Sequence, residues 1–331
     1  CYPVRGEMLC SMGRSFEDAQ VLVYERAAQS AESSDLPLSP AGELTRLAGA
    51  CLRTRGYEGS LRMHATLRGR TCLKLRLVMP KGRRERFGSS FYRGLLPAAE
   101  QGLYDAMLTR FEGGDYSGKL RLRTGESEAV FRAYSALRDD HPELFWLGGR
   151  CAFTPQTGDM RCAVLYTPDQ IGRIRYQLRR CLFQLVRGTA GLPPVEREIL
   201  VYERIARRLT YINNGDVRDH NIVGPVLLSA GVCEGYNALL MLALRRVGLP
   251  CIKVYGVGKS GGGHCWSVVG LEGEPVHCDV TWDKPSRGAV RFAYLNRSDC
   301  QIARDHGDFR RPGIPVCRSE RWNYDTLALS G

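Results

Sequence analysis

From residue 88 onward, apolar residues recur mostly at the three- and four-residue spacing of amphipathic helices. Helices are predicted around QGLYDAML and ESEAVFRAYSAL, over residues 170–187, and from VEREILVYERIARRLTY onward, with GLPP between the last two. A short strand is predicted near FWLGGRCAF. A further apolar run, NALLMLAL, ends at Gly248-Leu249-Pro250, a normal helix exit. We therefore expect a domain over residues 88–331 that begins with several helices.

The pattern differs before residue 88. SPAGELTRLAGACL predicts a capped helix, and SLRMHATL and TCLKLRLVM alternate in polarity around Arg68-Gly69-Arg70, which predicts a β-hairpin. Residues 1–87 are therefore predicted to form a small α+β extension of unknown role. The basic run KGRRERF lies between the two regions. We interpret it as a solvated linker, and contact with an anionic partner is the alternative.

The segment from residue 231 to residue 283 carries the candidate chemistry. Cys233 opens the apolar helical run, so its thiol is predicted to lie at a helix N-terminus. The unpaired backbone N–H groups and the positive end of the helix dipole favour thiolate over thiol there, and a thiolate attacks carbonyl groups. The alternative is a cysteine that only packs as a small buried hydrophobic residue.

His264 and Asp279 are predicted to face each other on a hairpin. HCWSVV and PVHCDV have the composition of strands, LEGE between them is turn-like, and the two residues are symmetric about the point between Leu271 and Glu272. Directly opposed residues lie about 5 Å apart and share a face. A carboxylate beside an imidazole fixes its tautomer and leaves the other ring nitrogen for the cysteine. A strand histidine can also be an ordinary core or surface group, but helix start, hairpin and chain order together favour a thiol acyl-transfer site.

GVCEGYNA, HCWSVV and DVTWD resemble the three motif blocks of the transglutaminase-like superfamily. The flanking segments HNIVGPVLLSAGVCEGY and FAYLNRSDCQIARDH are similar to bacterial members of the group as well. The resemblance extends over residues 88–319 and implies an α+β fold with a papain-like core, in which N-terminal helices pack on an antiparallel sheet. The catalytic core is expected over about residues 195–319. Ser267 departs from the pattern, because bacterial members often carry Asn after the Trp of the histidine block.

The resemblance implies that Cys233 is the nucleophile, His264 the general base and acid, and Asp279 the group that orients the imidazole. A carboxamide or peptide carbonyl would acylate the cysteine, and water or an amine would then attack the acyl-enzyme. The backbone N–H of Cys233 is expected to donate to the developing oxyanion. A second donor could come from His220 or Asn221, although either residue could instead cap a turn.

Two tryptophans near the candidate site residues can be interpreted in two ways. Trp266 and Trp282 are bulky enough to wall the site and to screen the histidine and aspartate from water. Large aromatic residues on strands are also ordinary core residues. Gly235 and Tyr236 are interpreted as allowing close helix packing and filling the core behind the cysteine.

Thirteen cysteines are scattered singly, and no CxxC pair occurs. This distribution suits a reducing compartment, so we expect a cytoplasmic protein whose cysteines are small core residues. Cys265 and Cys278 are predicted by strand alternation to point away from the face of His264. Neighbouring residues on a strand face opposite ways, so His264, Cys265, His277 and Cys278 are not expected to converge on a metal ion, and no cofactor is predicted.

The net charge of +12 reflects a preference for arginine along the whole chain. Because aromatic residues are not interleaved with the basic ones, we do not expect nucleic-acid binding. The longest apolar run is far shorter than the ~20 residues that span a bilayer. A peptide or protein substrate is the expected partner, and the sequence does not indicate an oligomeric state. Two function classes remain: a thiol enzyme, with hydrolysis ahead of cross-linking, and a non-catalytic module whose groove binds peptides or partners.

A chelator is expected to change neither activity nor melting temperature, because the chain lacks an EF-hand loop and a convergent ligand motif. Both quantities should be measured with and without EDTA. A loss that one particular divalent ion restores would contradict the expectation.

Overall fold

A computed structural model of the chain separates into two compact units, Cys1–Arg84 and Glu85–Gly331. The residues that it describes are 8–12, 18–24, 61–67, 71–78, 90–285, 289–309 and 311–324. The helix predicted over SPAGELTRLAGACL and the linker KGRRERF lie outside the described residues. In the described part of the chain, no helix is both long enough and apolar enough to cross a membrane.

The first unit contains an antiparallel sheet of four described strands in the order β1-β2-β4-β3. The strands are Met8–Met12 (β1), Asp18–Tyr24 (β2), Leu61–Leu67 (β3) and Thr71–Val78 (β4). The pair β3 and β4 is the hairpin predicted around residues 68–70, with Leu67 opposite Thr71. The pattern did not predict β1 and β2, although the run VLVY in β2 has strand composition.

The second unit begins with three helices and a small sheet. The helices are Phe91–Leu95 (α1), Ala98–Glu112 (α2) and Ser127–Asp140 (α3), and the strands are Lys119–Arg121 (β5), Leu147–Thr154 (β6) and Asp159–Val164 (β7). The antiparallel order is β5-β7-β6. Helices α2 and α3 and strand β6 match the predicted segments. Asp140 joins α1 to α3, because its carboxylate accepts hydrogen bonds from the backbone N–H groups of Tyr92 and Arg93, each at 3.0 Å.

Two longer helices lead toward the candidate site. They are Pro168–Val186 (α4) and Pro194–Arg208 (α5), as the sequence predicts. Helix α4 begins with a capping box between Thr167 and Gln170, and α5 has a proline in its first turn. Two short parallel strands, Thr210–Tyr211 (β8) and Ala230–Gly231 (β9), flank a 3-10 helix, Val217–His220, and a one-turn helix, Val223–Leu227 (α6).

Helix α7, Cys233–Arg246, packs against an antiparallel sheet. The strands are Cys251–Val257 (β10), Gly263–Leu271 (β11) and Glu274–Cys278 (β12), in the order β10-β11-β12, and a short helix, Asp299–Ile302 (α8), follows. Gly248 ends α7 with a φ of 82°, and Leu249 N–H bonds to Leu244 O at 3.0 Å. This is the glycine-terminated exit that the sequence predicts.

The sheet of β10 to β12 is covered on both faces. One face adds to the main core, where Trp146, Tyr202 and Tyr236 are among the largest buried side chains, and the other carries a second cluster that includes Ile252, Val254 and Trp266. Strand β11 is consequently buried from Cys265 to Leu271, while its first two residues are not. His264 therefore lies where the strand leaves the core.

The β11–β12 hairpin has a different register from the predicted one. Its turn consists of Glu272 and Gly273, with φ values of 50° and 89°, and Leu271 pairs with Glu274. Positive φ at both central positions is typical of a tight type I′ turn. His264 and Asp279 are therefore not directly opposed, since the same register places Asp279 opposite Trp266. Residues 264 and 266 share a face of the strand, so Asp279 still reaches His264 diagonally.

Gly235→Ala is expected to destabilise the protein by about 1–3 kcal/mol, because overpacking moves a rigid neighbour. A Cβ at this position would lie 2.9 Å from Asp219 O and 3.0 Å from Pro225 Cγ, so α7 could no longer meet the preceding loop closely. Urea unfolding measures the change. Gly102→Ala is the matched control: it is an exposed helical position with no atom within 4 Å of the added Cβ, and it should stabilise by about 0.5–1 kcal/mol. Equal effects of the two substitutions would contradict this account.

Candidate active site

Cys233 is the first residue of α7, and its thiol is half-buried. The chain enters the helix in an extended conformation at Val232, whose N–H donates to Asp219 O at 3.0 Å. The first N–H groups of a helix have no acceptor within the helix, so they point toward the region in front of the cysteine. The predicted helix-start environment of the thiol is therefore present.

The imidazole of His264 lies between Cys233 and Asp279. Its Nε2 is 2.7 Å from Asp279 Oδ2, and a hydrogen bond also joins the ring to the Cys233 thiol. Because Nε2 contacts the carboxylate, Nδ1 is the nitrogen left for the sulfur. The aspartate side chain is 1% exposed, whereas that of the histidine is 8% exposed. The structure thus brings together the three residues that the sequence singled out.

Two tryptophans enclose the histidine ring. Trp282 stacks on His264 with ring centroids 5.2 Å apart, and Trp266 stacks at 5.8 Å. Trp266 is fully buried in the second core cluster, and its Nε1 donates to His277 Nδ1 at 3.0 Å. Both interpretations of the tryptophans therefore apply, since they form the walls of the site and Trp266 is also a core residue.

Hydrogen bonds and charge favour a thiolate–imidazolium pair. A hydrogen bond with Cys265 lowers the pKa of Cys233 to about 4 against the opposing effect of burial, and His264 contributes in the same direction. Burial disfavours the imidazolium, but the bonds to Asp279 and Cys233 raise the pKa of His264 to about 9. The pKa of Asp279 stays below its usual range despite burial, because His264 and His306 donate to it.

Cys265 lies closer to the candidate site than strand alternation predicts. Its thiol was predicted to point away from the site, but it hydrogen-bonds to the thiol of Cys233, and this contact raises the pKa of Cys265 well above its usual value. Alternation fixes a side chain's direction relative to its own sheet. It does not determine which parts of a helix packed on that sheet lie within reach, and the start of α7 contacts both His264 and Cys265. Cys278 is buried as predicted, and its thiol bonds to Asn296 Oδ1 at 3.2 Å.

The loop after β12 holds Asp279 in place. The backbone N–H of Thr281 donates to Asp279 Oδ1 at 2.9 Å, and the N–H of Asp279 donates to Tyr294 O at 3.0 Å. Asp283, the last residue of DVTWD, accepts from Tyr202 Oη at 2.7 Å and from the backbone N–H of Tyr294 at 2.8 Å. The two acids of this motif therefore have different contacts. Asp279 contacts the imidazole of His264, and Asp283 fixes the loop after β12.

Ser267 has a specific partner in α7. Its hydroxyl donates to Asn237 Oδ1 at 2.6 Å, and both residues are buried. Asn237 belongs to the same motif as Cys233, so the bond joins the cysteine helix to the histidine strand. The departure from the family pattern at Ser267 thus occurs at a position that sets how helix and strand meet.

His220 and Asn221 make local contacts. His220 Nδ1 is 2.6 Å from Glu234 Oε2, next to Cys233 in the chain. The Asn221 side chain donates to Val217 O at 3.1 Å and accepts from the N–H of Val223 at 2.8 Å, which is the turn-capping role weighed as the alternative.

A second histidine, which the sequence analysis did not assign, also contacts Asp279. His306 is buried, and its Nε2 lies 3.1 Å from Asp279 Oδ2. Its other ring nitrogen is 2.7 Å from Asp305 Oδ1. The only sequence signal for this contact is the Asp-His pair that ends the segment FAYLNRSDCQIARDH.

Two groups of side chains bring three potential metal-ligand atoms within 4.8 Å of one another in the described part of the chain. They are His264, Asp279 and His306, and His277, Asp299 and Cys317. In the first group, both histidine nitrogens lie at hydrogen-bond distance from one carboxylate oxygen. In the second, His277 Nδ1 accepts from Trp266, so Nε2 carries the proton that it donates to Asp299 at 2.9 Å. A protonated nitrogen cannot ligate a metal, so hydrogen bonding accounts for both groups.

Several chains of known structure are distantly similar to this one, and two examples are a TGase and a candidate cysteine protease. The protein in a crystal structure of a TGase shares 10% sequence identity with this chain, with a TM-score of 0.33 between the two structures. The likeness covers 78% of this chain and 52% of the TGase chain, so this chain spans about half of the TGase's length. A candidate cysteine protease from Cytophaga hutchinsonii shares 16% identity with a TM-score of 0.29, over 35% of this chain and 40% of that one. No curated protein matches the chain.

A family comparison locates the match within the chain. Residues 184–280 match the sequence model of the transglutaminase-like superfamily. This range begins at the end of α4, includes α7 and the three-stranded sheet, and ends just after Asp279. The chain is thus a mixed helix-and-sheet protein with a transglutaminase-like core at residues 184–280.

Proposed function

We propose that this protein is a thiol-dependent acyl-transfer enzyme in which Cys233, His264 and Asp279 act together. The observation that carries the proposal is the continuous chain of hydrogen bonds from the Cys233 thiol through the imidazole to a buried carboxylate. Such a chain supplies a nucleophile, a proton carrier and a group that orients the carrier.

The first half-reaction is attack of the Cys233 thiolate on the carbon of a carboxamide or peptide carbonyl. The carbonyl oxygen becomes an oxyanion, and the backbone N–H of Cys233 stabilises it at the start of α7. His264 donates the Nδ1 proton to the leaving amine, whose departure leaves a thioester. Asp279 keeps the ring oriented and stabilises the imidazolium before the proton is transferred.

The second half-reaction releases the acyl group from Cys233. His264, now neutral, accepts a proton from an attacking water or amine, and the thiolate leaves when the tetrahedral intermediate collapses. The product is an acid if water attacks and a new amide if an amine attacks. Trp266 and Trp282 limit access of bulk water to the imidazole, which favours direct proton transfer.

A peptide or protein is the substrate class that the surroundings favour. Tyr211 on β8 is 44% exposed, and its pKa is raised by burial and by the charge of Cys233, so the ring lies in the neighbourhood of the cysteine. Val217, Leu227 and Leu228 on the segment leading to α7 are also exposed. Exposed apolar side chains on the segments that lead to the cysteine suit an extended chain that presents a carbonyl.

Cys233 is expected to be the most rapidly alkylated thiol at pH 6, because its depressed pKa keeps it as a thiolate. Its rate with iodoacetamide should rise as pH passes about 4, hold a plateau, and change again near pH 9, where His264 loses its proton. Timed labelling read by peptide mass spectrometry gives the profile, with Cys233→Ala as the blank. Exposed Cys300 serves as the accessibility reference. Rapid labelling of Cys300 with an inert Cys233 at pH 6 would refute the proposal.

Asp279→Asn is expected to lower turnover by ~10²–10⁴, or roughly 3–5 kcal/mol of transition-state stabilisation, because an amide does not stabilise the imidazolium. Single-turnover acylation with an activated ester or a glutamine peptide measures the loss. Asp283→Asn is the matched control, since that acid lies in the same motif and bonds to Tyr202 and the loop backbone.

The control should lower the melting temperature while each folded molecule keeps near-normal acylation. Unchanged acylation in well-folded Asp279→Asn protein would remove that carboxylate from the mechanism. If the wild-type protein binds peptides but never forms a thioester, the non-catalytic alternative replaces the proposal.

A further inference from the structure

His306 lies directly behind the Asp279 carboxylate. Its Nε2 is 3.1 Å from Asp279 Oδ2, the same oxygen that lies 2.7 Å from His264 Nε2. The side chains of His306 and Asp279 are 0% and 1% exposed, so water does not separate them. One oxygen atom of Asp279 is therefore within hydrogen-bond distance of two histidines. The proposed mechanism gives a role to His264 but not to His306.

Both ring nitrogens of His306 face carboxylate oxygens. Nδ1 is 2.7 Å from Asp305 Oδ1, and Tyr294 Oη donates to the other oxygen of Asp305 at 2.7 Å. An ionised carboxylate only accepts hydrogen bonds, whereas a neutral imidazole has one nitrogen without a proton. Two ionised carboxylate partners are therefore both satisfied only when both nitrogens carry a proton, which is the imidazolium form of the ring.

The ring of His306 is held by aromatic contacts, and the adjacent backbone is held by hydrogen bonds. The ring centroid of Trp282 lies 4.2 Å from that of His306, and Trp266 meets the His306 ring edge-on with centroids 4.6 Å apart. The two tryptophans therefore contact both histidines. The neighbouring residue Gly307 exchanges backbone hydrogen bonds with Val257 on β10, at 2.8 and 2.9 Å. Because both ring and backbone are fixed, His306 can fix the position of the carboxylate that it contacts.

We propose that His306 is a positioning residue, which holds Asp279 Oδ2 opposite His264 and, as an imidazolium paired with Asp305, balances the buried negative charge. The inference rests on the function proposed for Cys233, His264 and Asp279. Charges then alternate along the chain of contacts from the thiolate to Asp305. Alternation matters because a buried charge without an opposite neighbour is strongly disfavoured.

Several titratable groups face this chain of contacts from the elements packed around it. They are Cys233 and Cys265 at the start of α7 and β11, Tyr211 on β8, Tyr202 on α5, and Asp283, Tyr294 and Asp305 from the segments after β12. The histidines that donate to Asp279 directly are His264 and His306. Replacement of His306 by a neutral residue therefore removes one of the two histidine donors to this carboxylate.

His306→Gln tests the charge, because an amide retains one donor but cannot be an imidazolium. Without the positive charge, the thiolate of Cys233 is less stabilised and His264 is more strongly held as a cation. The rising limb of the Cys233 alkylation profile should move to higher pH by about half a unit or more. The transition near pH 9 should also move to higher pH. Turnover should fall about 10-fold, in line with other residues that orient a reacting side chain. His306→Ala, which removes the donor as well, should lose about 10-fold more.

His141→Gln is the matched control. His141 is also buried and pairs with an acid, Glu143, at 2.8 Å, but it does not contact the site. This variant should lower the melting temperature and leave the alkylation profile unchanged. If folded His306→Gln behaves in the same way, with lower stability and wild-type limbs, the positioning role is excluded.

Asp305→Asn covers the case in which His306→Gln does not fold. Asp305 is partly exposed, and an asparagine there keeps an acceptor but removes the counter-charge of His306. Because His306 keeps its contact with Asp279, the site loses only a negative charge, and both limbs should move to lower pH, opposite to His306→Gln and by a smaller amount; unchanged limbs would overturn the inference. The alkylation profile needs no substrate, so it tests His306 separately from catalysis. Absence of thioester formation in the wild type with a normal profile would instead refute the proposed function.

Discussion

The buried carboxylate of Asp279 is the group on which the arrangement of the site depends. It is 1% exposed, and an isolated ionised carboxylate at such a position would be costly by several kcal/mol. His264, His306 and the N–H of Thr281 all donate to it, so its charge is retained. The need to satisfy this one group fixes the histidine strand, the loop after β12 and the segment around residue 306 relative to one another.

The rest of the core brings the helix to that charge. Gly235 allows α7 to approach Asp219 and Pro225 closely, and the hydrogen bond between Ser267 and Asn237 fixes α7 against β11. The start of the helix therefore lies beside the end of a strand that is otherwise fully buried. This geometry leaves the imidazole 8% exposed, so it is largely shielded from water and its charge interactions are strong.

The thiol environment has an uncommon component. In addition to the histidine and the helix start, a second thiol stabilises the thiolate, because Cys265 remains protonated and hydrogen-bonds to Cys233. A thiol is a weak donor, but in a site that excludes water even a weak donor stabilises a neighbouring anion. The pKa of the Cys233 thiol is thus lowered by Cys265 and by His264 together.

The sequence by itself determined the local parts of this site. Helical periodicity predicted that Cys233 begins a helix, and strand composition around a short turn predicted that His264 and Asp279 meet, even though the predicted register was wrong. His264 and Asp279 still meet, because a turn displaced by one residue shifts the strand pairing by two residues. Side chains two residues apart on a strand share a face. Helices α3, α4 and α5 were also predictable, because each carries its own apolar stripe.

Only the tertiary structure decided the contacts between distant segments. His306 is 27 residues beyond Asp279, and Cys265 is 32 residues beyond Cys233, so no local period relates either pair. The pairing of β2 with β4 likewise joins segments that the pattern treats separately. Hydrophobic periodicity reports which face of an element is buried, but it carries no information about which buried faces meet. Those meetings depend on packing and on the requirement that every buried charge finds a partner.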